Sequence, residues 1–249
     1  TFYSNAAQYW DVNSNYGRGG AIRSSSDVFA GLIRITIANS TFSQNNANAM
    51  GGGIFAYYST VYITNSTFVS NTTNTATSGG GGNIIFYSGP GALTLKNTIL
   101  AGGLANSAPN NCAGTIASNG HNLEDVNSCN LLATGDLPNT TNPGLGPLKV
   151  NYPGKTATHS ISASSPAYDV GDDTACAAWP VNSVDQRGVA RPIGSACDIG
   201  AYEAGGPTAV TLASFSAAWQ TQPGWRQGLD SAWHTLLAFL GFPLQPEDR

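Results

Sequence analysis

Asp169, Asp172 and Asp173 form the densest group of carboxylates in the sequence. Carboxylate oxygens are the hard ligands that calcium prefers, so these three are the candidate cation ligands. The competing reading is a solvated turn, and no EF-hand string accompanies them. The adjacent pair Asp172-Asp173 also bears on hydrolysis, because inverting glycosidases need two carboxyls about 6.5–9.5 Å apart. His121, His159 and His234 are scattered without the i, i+4 spacing of a helical metal site. The reading therefore assigns no cofactor, with calcium as the single exception held open.

Four cysteines, Cys112, Cys129, Cys176 and Cys197, carry no CxxC spacing, which argues against zinc or dithiol redox chemistry. Four cysteines allow three pairings. The sequence order favours Cys112 with Cys129 and Cys176 with Cys197, since each pair closes a short loop rich in Gly, Asn and Pro. Disulfides would place the chain in an oxidising compartment; reduced structural thiols are the alternative. Tyr57, Tyr58 and Tyr62, together with Tyr87, form a candidate aromatic strip able to stack on sugar rings. Stacked aromatics inside a core would look the same. Asn39, Asn65, Asn71 and Asn139 begin N-x-S/T strings that can accept glycans, although a structural role competes for the first two.

Which elements would position these groups? Only 10% of the 249 residues are charged, whereas 41% are hydrophobic and 30 are Gly. Asn, Ser, Thr and Gly must then cover much of the surface, as suits long β-ladders. The net charge of -4 comes without any cluster of Lys and Arg, which argues against nucleic acid. The partners left are a polysaccharide, further copies of the chain or other surface subunits.

The strongest signal is an internal repeat. Ile35-Thr36-Ile37-Ala38-Asn39-Ser40-Thr41-Phe42-Ser43-Gln44-Asn45 returns as Val61-Tyr62-Ile63-Thr64-Asn65-Ser66-Thr67-Phe68-Val69-Ser70-Asn71, and decays into Leu93 to Ala101. Thr1-Phe2-Tyr3-Ser4-Asn5 matches the tail of that unit, so the chain reads as a piece of something longer. Gly-Gly turns at Gly19, Gly52 and Gly81 separate the copies. The alternation of Ile35/Ile37, Val61/Ile63 and Leu93/Leu95 is that of half-buried strands. A unit so short cannot bury its own apolar face and must stack on its neighbours. The expected fold is all-β, a right-handed parallel β-helix. Asn39, Asn65 and Asn97 are candidates for one corner ladder, Asn5, Asn45 and Asn71 for another, and Phe2, Phe42 and Phe68 for an inner stack. A hairpin sandwich would need Asn-Gly or Asp-Gly turns, and only Asn119-Gly120 supplies one.

The pattern changes after residue 110. Val184-Asp185-Gln186-Arg187-Gly188-Val189-Ala190-Arg191-Pro192 is followed by Cys197-Asp198-Ile199-Gly200-Ala201-Tyr202-Glu203. These strings resemble the choice-of-anchor type of module that ends bacterial surface β-helix proteins. The resemblance spans about residues 30–212 and implies export, secretion or cell-surface display, and a fold of the pectate-lyase-like superfamily. It supplies no reaction, so no catalytic residues are carried over. Residues 1–110 read as regular coils and 111–205 as last coils with a disulfide-pinned cap. There Arg187 and Arg191 can pair with Asp185, Asp198 and Glu203. Residues 206–249 read as an extension whose Trp225, Leu229, Trp233, Leu236, Leu237 and Leu240 fall at helical spacing. Its apolar stretch is too short to cross a bilayer.

Because the same superfamily includes polysaccharide lyases and polygalacturonases, an enzyme is the alternative to a structural or adhesin-like role. Only Asp172-Asp173 and Gly120-His121-Asn122 echo polygalacturonase strings, and in reversed order. Acids are also almost missing between Gly19 and Leu100, where a lyase groove would need them.

Overall fold

The structure is a computed structural model that describes residues 1–7, 17–26, 31–74 and 80–207. The extension from residue 208 onward, including the amphipathic helix expected near Trp225 to Leu240, lies outside the described residues. Within them the fold is all-β: twenty short strands and one five-residue helix, α1 (Asp173–Ala177).

The repeat copies lie side by side in parallel sheets. The first sheet orders β1 (Phe2–Tyr3), β5 (Thr41–Ser43), β9 (Thr67–Val69), β13 (Ile99–Ala101) and β18 (Leu123–Glu124). The second holds β2 (Ala6–Ala7), β6 (Asn46–Ala47), β10 (Thr72–Thr73) and β14 (Leu104–Ala105), with β15 (Ala108–Pro109) added antiparallel at its edge. The third orders β3 (Ile22–Ser25), β7 (Ile54–Tyr57), β11 (Ile84–Ser88) and β16 (Cys112–Gly114). In the fourth, β4 (Ile33–Ala38), β8 (Ser59–Thr64), β12 (Ala92–Lys96) and β17 (Ile116–Ser118) are neighbours. Ile35, Val61, Leu93 and Ile116 share one register position of that fourth sheet.

Register decides what the interior contains. Val61, Ile63, Leu93 and Leu95 point inward and are fully buried, whereas Tyr62 between them points out. They meet Ile54, Ala56, Ile84 and Phe86 of the third sheet and Phe42, Phe68 and Leu100 of the first. Phe2, Phe42 and Phe68 stack ring on ring, with centroids 4.6 and 4.4 Å apart. One rung beyond Leu100 the partner is Glu124, also fully buried. The bonded pair Cys112–Cys129 and Leu131 belong to this same core.

A continuous line of side-chain amides runs through the stack. Asn5 Nδ2 donates to Asn45 Oδ1 at 2.9 Å, and Asn45 Nδ2 to Asn71 Oδ1 at 2.7 Å. Asn71 Nδ2 then donates to Asn83 Oδ1 at 2.8 Å and Asn83 Nδ2 to Asn111 Oδ1 at 2.7 Å. Asn111 Nδ2 ends the line on two carboxylates, Asp125 at 2.7 Å and Glu124 at 3.2 Å. Every member donates toward the C-terminal side, so the line has a polarity and terminates on groups that only accept. The Glu124 carboxylate also receives the Ser128 N–H and hydroxyl and the Cys129 N–H.

The other asparagine row corrects the expected ladder. Asn39, Asn65 and Asn97 do take the left-handed conformation, with φ of 47, 46 and 48°. Asn97 Nδ2 reaches Asn65 Oδ1 at 3.3 Å, but Asn39 turns away to the Val184 carbonyl at 2.9 Å. Asn65 and Asn97 also donate outward, to Cys176 Sγ at 3.1 Å and the Asp172 carbonyl at 3.1 Å. The physical reason is a second layer of chain: residues from Leu145 to Ala204 pack along the outer face of the first sheet. Ile161, Ala167, Ile199 and Ala204 bury Ile99, Ala101 and Leu123 there. Thr41 Oγ1 donates to Gln186 at 2.6 Å, and Thr67 Oγ1 accepts from the Ala201 N–H at 2.9 Å. The segment expected to cap the end of the repeats thus packs across several strands of the first sheet. A short antiparallel pair, β19 (Leu148–Val150) with β20 (Ala157–His159), belongs to it.

Candidate functional site

The bracing segment spends its charges internally. Asp185 receives the N–H groups of Arg187, Val189 and Glu203 and pairs with the Arg187 guanidinium at 2.8 Å. That guanidinium donates to the Tyr152 and Glu203 carbonyls and lies 3.6 Å from the Tyr202 ring centre. Arg191 donates to the Asp198 and Gly200 carbonyls and meets Glu203 at 3.3 Å. Burial depresses the Arg191 guanidinium and raises the Asp198 carboxyl, and it pushes Glu203 up to about 7. Buried charges persist only when paired and hydrogen-bonded, and these are so held except at Arg191 Nε, which has no partner. This is a structural knot.

The three candidate calcium ligands are likewise engaged, each with a different partner. Asp172 caps α1 by accepting from the Thr174 and Ala175 N–H groups and pairs with Lys96 at 2.6 Å. The Lys96 ammonium accordingly holds its carboxyl below the usual range. Asp173 accepts the Cys197 N–H at 2.7 Å, and Asp169 accepts the Ser195 N–H and hydroxyl. Among the described residues no group of three or more His, Cys, Asp or Glu could hold a metal ion. Cys176, within α1, is bonded to Cys197.

Ser43 Oγ and His159 Nε2 lie 3.0 Å apart, and His159 Nδ1 bonds the Gly146 carbonyl at 2.8 Å. That is the spacing of a nucleophile and its base. However, Ser43 is wholly buried between sheet and brace, so no substrate reaches it. Desolvation holds the His159 imidazole below its ordinary pKa. The pair fastens the brace to the coil.

The outer face of the third sheet carries an aromatic cluster in which Phe55, Ile85 and Ala113 are buried and Tyr87 is exposed. Here Arg23, Phe55, Ile85 and Ala113 occupy one register position, and Ser25 pairs with Tyr57 on the next outward position. Between Phe86 and Ser88 the register of β11 shifts against β7, so Tyr87 is an extra residue. A bulge of this kind re-aims a side chain. The Tyr87 ring comes to lie 5.8 Å from Phe55 and 5.9 Å from Tyr57 and is 44% exposed. Tyr58 meets Tyr57 edge-on at 4.5 Å. Partial burial and the Tyr58 hydroxyl beside it hold the Tyr57 phenol above the ordinary tyrosine range. Tyr62 is not part of this cluster: it lies on the fourth sheet, with Arg34 5.8 Å from its ring centre.

Arg18 completes the face. It bridges to Met50 at the corner before β3, and its guanidinium lies 5.0 Å from the Phe55 ring centre and 5.3 Å from that of Tyr87. Its Nε is buried without a hydrogen-bond partner. Sequence reading had paired the tyrosines by number and overlooked this arginine. One available signal was length: seven residues lie between Ile84 and Ala92, against five between their register partners Ile54 and Thr60. The surplus is where the bulge sits.

No family model, curated protein or solved structure matches the chain. Among the described residues no helix is long and apolar enough to cross a membrane.

Proposed function

We propose that the chain is a right-handed parallel β-helix of the choice-of-anchor kind, exported to a bacterial surface, where it acts as a non-enzymatic structural or adhesin-like element. Parallel sheets whose register partners are the repeat copies support the coil. Two disulfides suit an oxidising compartment. The observation that carries the non-enzymatic role is the fate of Asp172 and Asp173. One carboxylate is a helix cap and ion pair, the other a backbone acceptor, so neither is free to act as acid or base.

The aromatic cluster around Tyr57, Tyr58 and Tyr87 suits holding a sugar chain rather than cutting it. Incubation with polysaccharides, followed for reducing ends and unsaturated products, tests this directly. No release is expected. Robust turnover abolished by Asp172→Asn would defeat the reading.

A further inference from the structure

We infer that the outer face of the third sheet is a binding site for an acidic polysaccharide, with sugar rings on Tyr57 and Tyr87 and a sugar carboxylate on Arg18. The inference rests on the non-enzymatic reading above and names the ligand class of the same face.

Charge selects the class. The chain is acidic overall, at -4, yet β3, β7, β11 and β16 contain no Asp or Glu. Arg18 and Arg23 stand on or beside the outer face of these strands. Arg23 is exposed in register with Phe55. No carboxylate among the described residues pairs with Arg18, because the ion pairs there join Lys96, Arg187 and Arg191 to other acids. A guanidinium presents five donors that fit a carboxylate in two-pronged fashion. Stacking on Phe55 and Tyr87 orients its plane but satisfies none of those donors. An arginine that lies beside two rings, with an unanswered Nε, has an acceptor missing.

Aromatic geometry supplies the second half. The bulge at Tyr87 adds one ring to a face where a regular strand would have none between Phe55 and Tyr57. The half-exposed Tyr87 ring lies next to the guanidinium. A uronate-type sugar offers both complements at once, a ring carrying C–H groups for the tyrosine and a carboxylate for the arginine. A neutral sugar would leave the arginine unanswered, and an inorganic anion would leave the tyrosines unused.

The test is affinity electrophoresis of the full chain through gels containing polygalacturonate, alginate or neutral dextran, at low and high salt. Retardation by an acidic polymer, weakened by salt and absent with dextran, is expected. Arg18→Met keeps an apolar stem over Phe55 and should weaken retention at least about tenfold, with Arg18→Lys intermediate. Tyr87→Ala alters an exposed side chain, leaves the buried core intact, and should weaken it comparably. Retention of Arg18→Met equal to wild type, or of the wild type by dextran alone, would overturn the acidic assignment while leaving a non-enzymatic binder standing. Loss of the polymer to cleavage during the run would instead overturn the reading beneath it, and the proposal with it.

Discussion

Asn71 Nδ2 donates to Asn83 Oδ1 at 2.8 Å although the two are 12 residues apart and precede strands of different sheets. Asn71 precedes β10, in the line of Asn5 and Asn45. Asn83 precedes β11, in the line of Asn111. The amide line therefore crosses from one row to the other in mid-stack. Gly53, the residue in register before Ile54, lets the backbone of Asn83 come close beside the crossing. A Cβ there would lie 3.5 Å from the Asn71 carboxamide carbon and 2.5 Å from the Asn83 carbonyl oxygen. The crossing joins a row with exposed ends to a row that closes on Glu124 and Asp125.

Position along this line sets the cost of breaking it. Asn71→Ala would strip partners from the Asn45 N–H and amide, the Phe42 carbonyl and Asn83 Oδ1, all buried. Each stranded group costs about 1–3 kcal/mol, so a loss of at least about 3 kcal/mol is expected after partial relaxation. Asn5→Ala, at the exposed start, should cost under about 1 kcal/mol. Urea unfolding of the two variants measures both; equal losses would contradict the line as a cooperative element.

The parallel strand register was legible in the sequence because stacking forces like residues into like places. The match between Ile35 and Val61, or Phe42 and Phe68, is at once a sequence repeat and a register pair. Asn39, Asn65 and Asn97 were legible as left-handed corners but not in their bonding, since their partners Val184, Cys176 and Asp172 come from a segment without repeat. Long-range docking of irregular chain leaves no periodic trace. Arg18 went unseen for a similar reason: its importance depends on Tyr87 being displaced by a bulge.

At Gly52 neighbouring turns of chain approach each other closely. A Cβ at this position would lie 2.3 Å from the Thr72 carbonyl oxygen and 2.4 Å from that of Gly82. Both are backbone atoms that cannot swing aside. Gly52→Ala must therefore spread adjacent coils, and overpacking of this kind costs about 1–3 kcal/mol. A melting temperature unchanged from wild type would show that the rungs are less tightly seated than described.

The two disulfides close loops of 17 and 21 residues. Loops of that length restrict the unfolded chain by about 3 kcal/mol each in the chain-entropy picture. Replacing Cys112 and Cys129 together by Ala should cost that much, and loosen the last rung beside Leu131. Replacing Cys176 and Cys197 should instead free α1 and the brace. Hydrogen exchange would separate the two: protection lost near Cys112 in the first variant, and around residues 172–198 in the second.

Glu203 gives the stability an unusual pH dependence. Burial raises its carboxyl to about 7 in the folded chain, from an ordinary 4.5, against the opposing pull of Arg191 and the Asp198 and Ile193 N–H groups. Between those values the folded state binds the proton and the unfolded state has released it. Stability is then fully present below about pH 4.5 and is lost as pH rises toward 7, by up to about 3 kcal/mol. Asp198, also raised by burial, acts in the same direction. Asp172, lowered by Lys96, acts oppositely and only at acid pH, where its contribution is lost as the carboxylate protonates. Guanidinium unfolding at steps from pH 5 to pH 8 should show a decline for the native chain. Glu203→Gln cannot titrate there, so its curve should be lower throughout, because an amide cannot accept all the bonds Glu203 accepts, and markedly flatter. An undiminished slope in that variant would assign the pH dependence to another group.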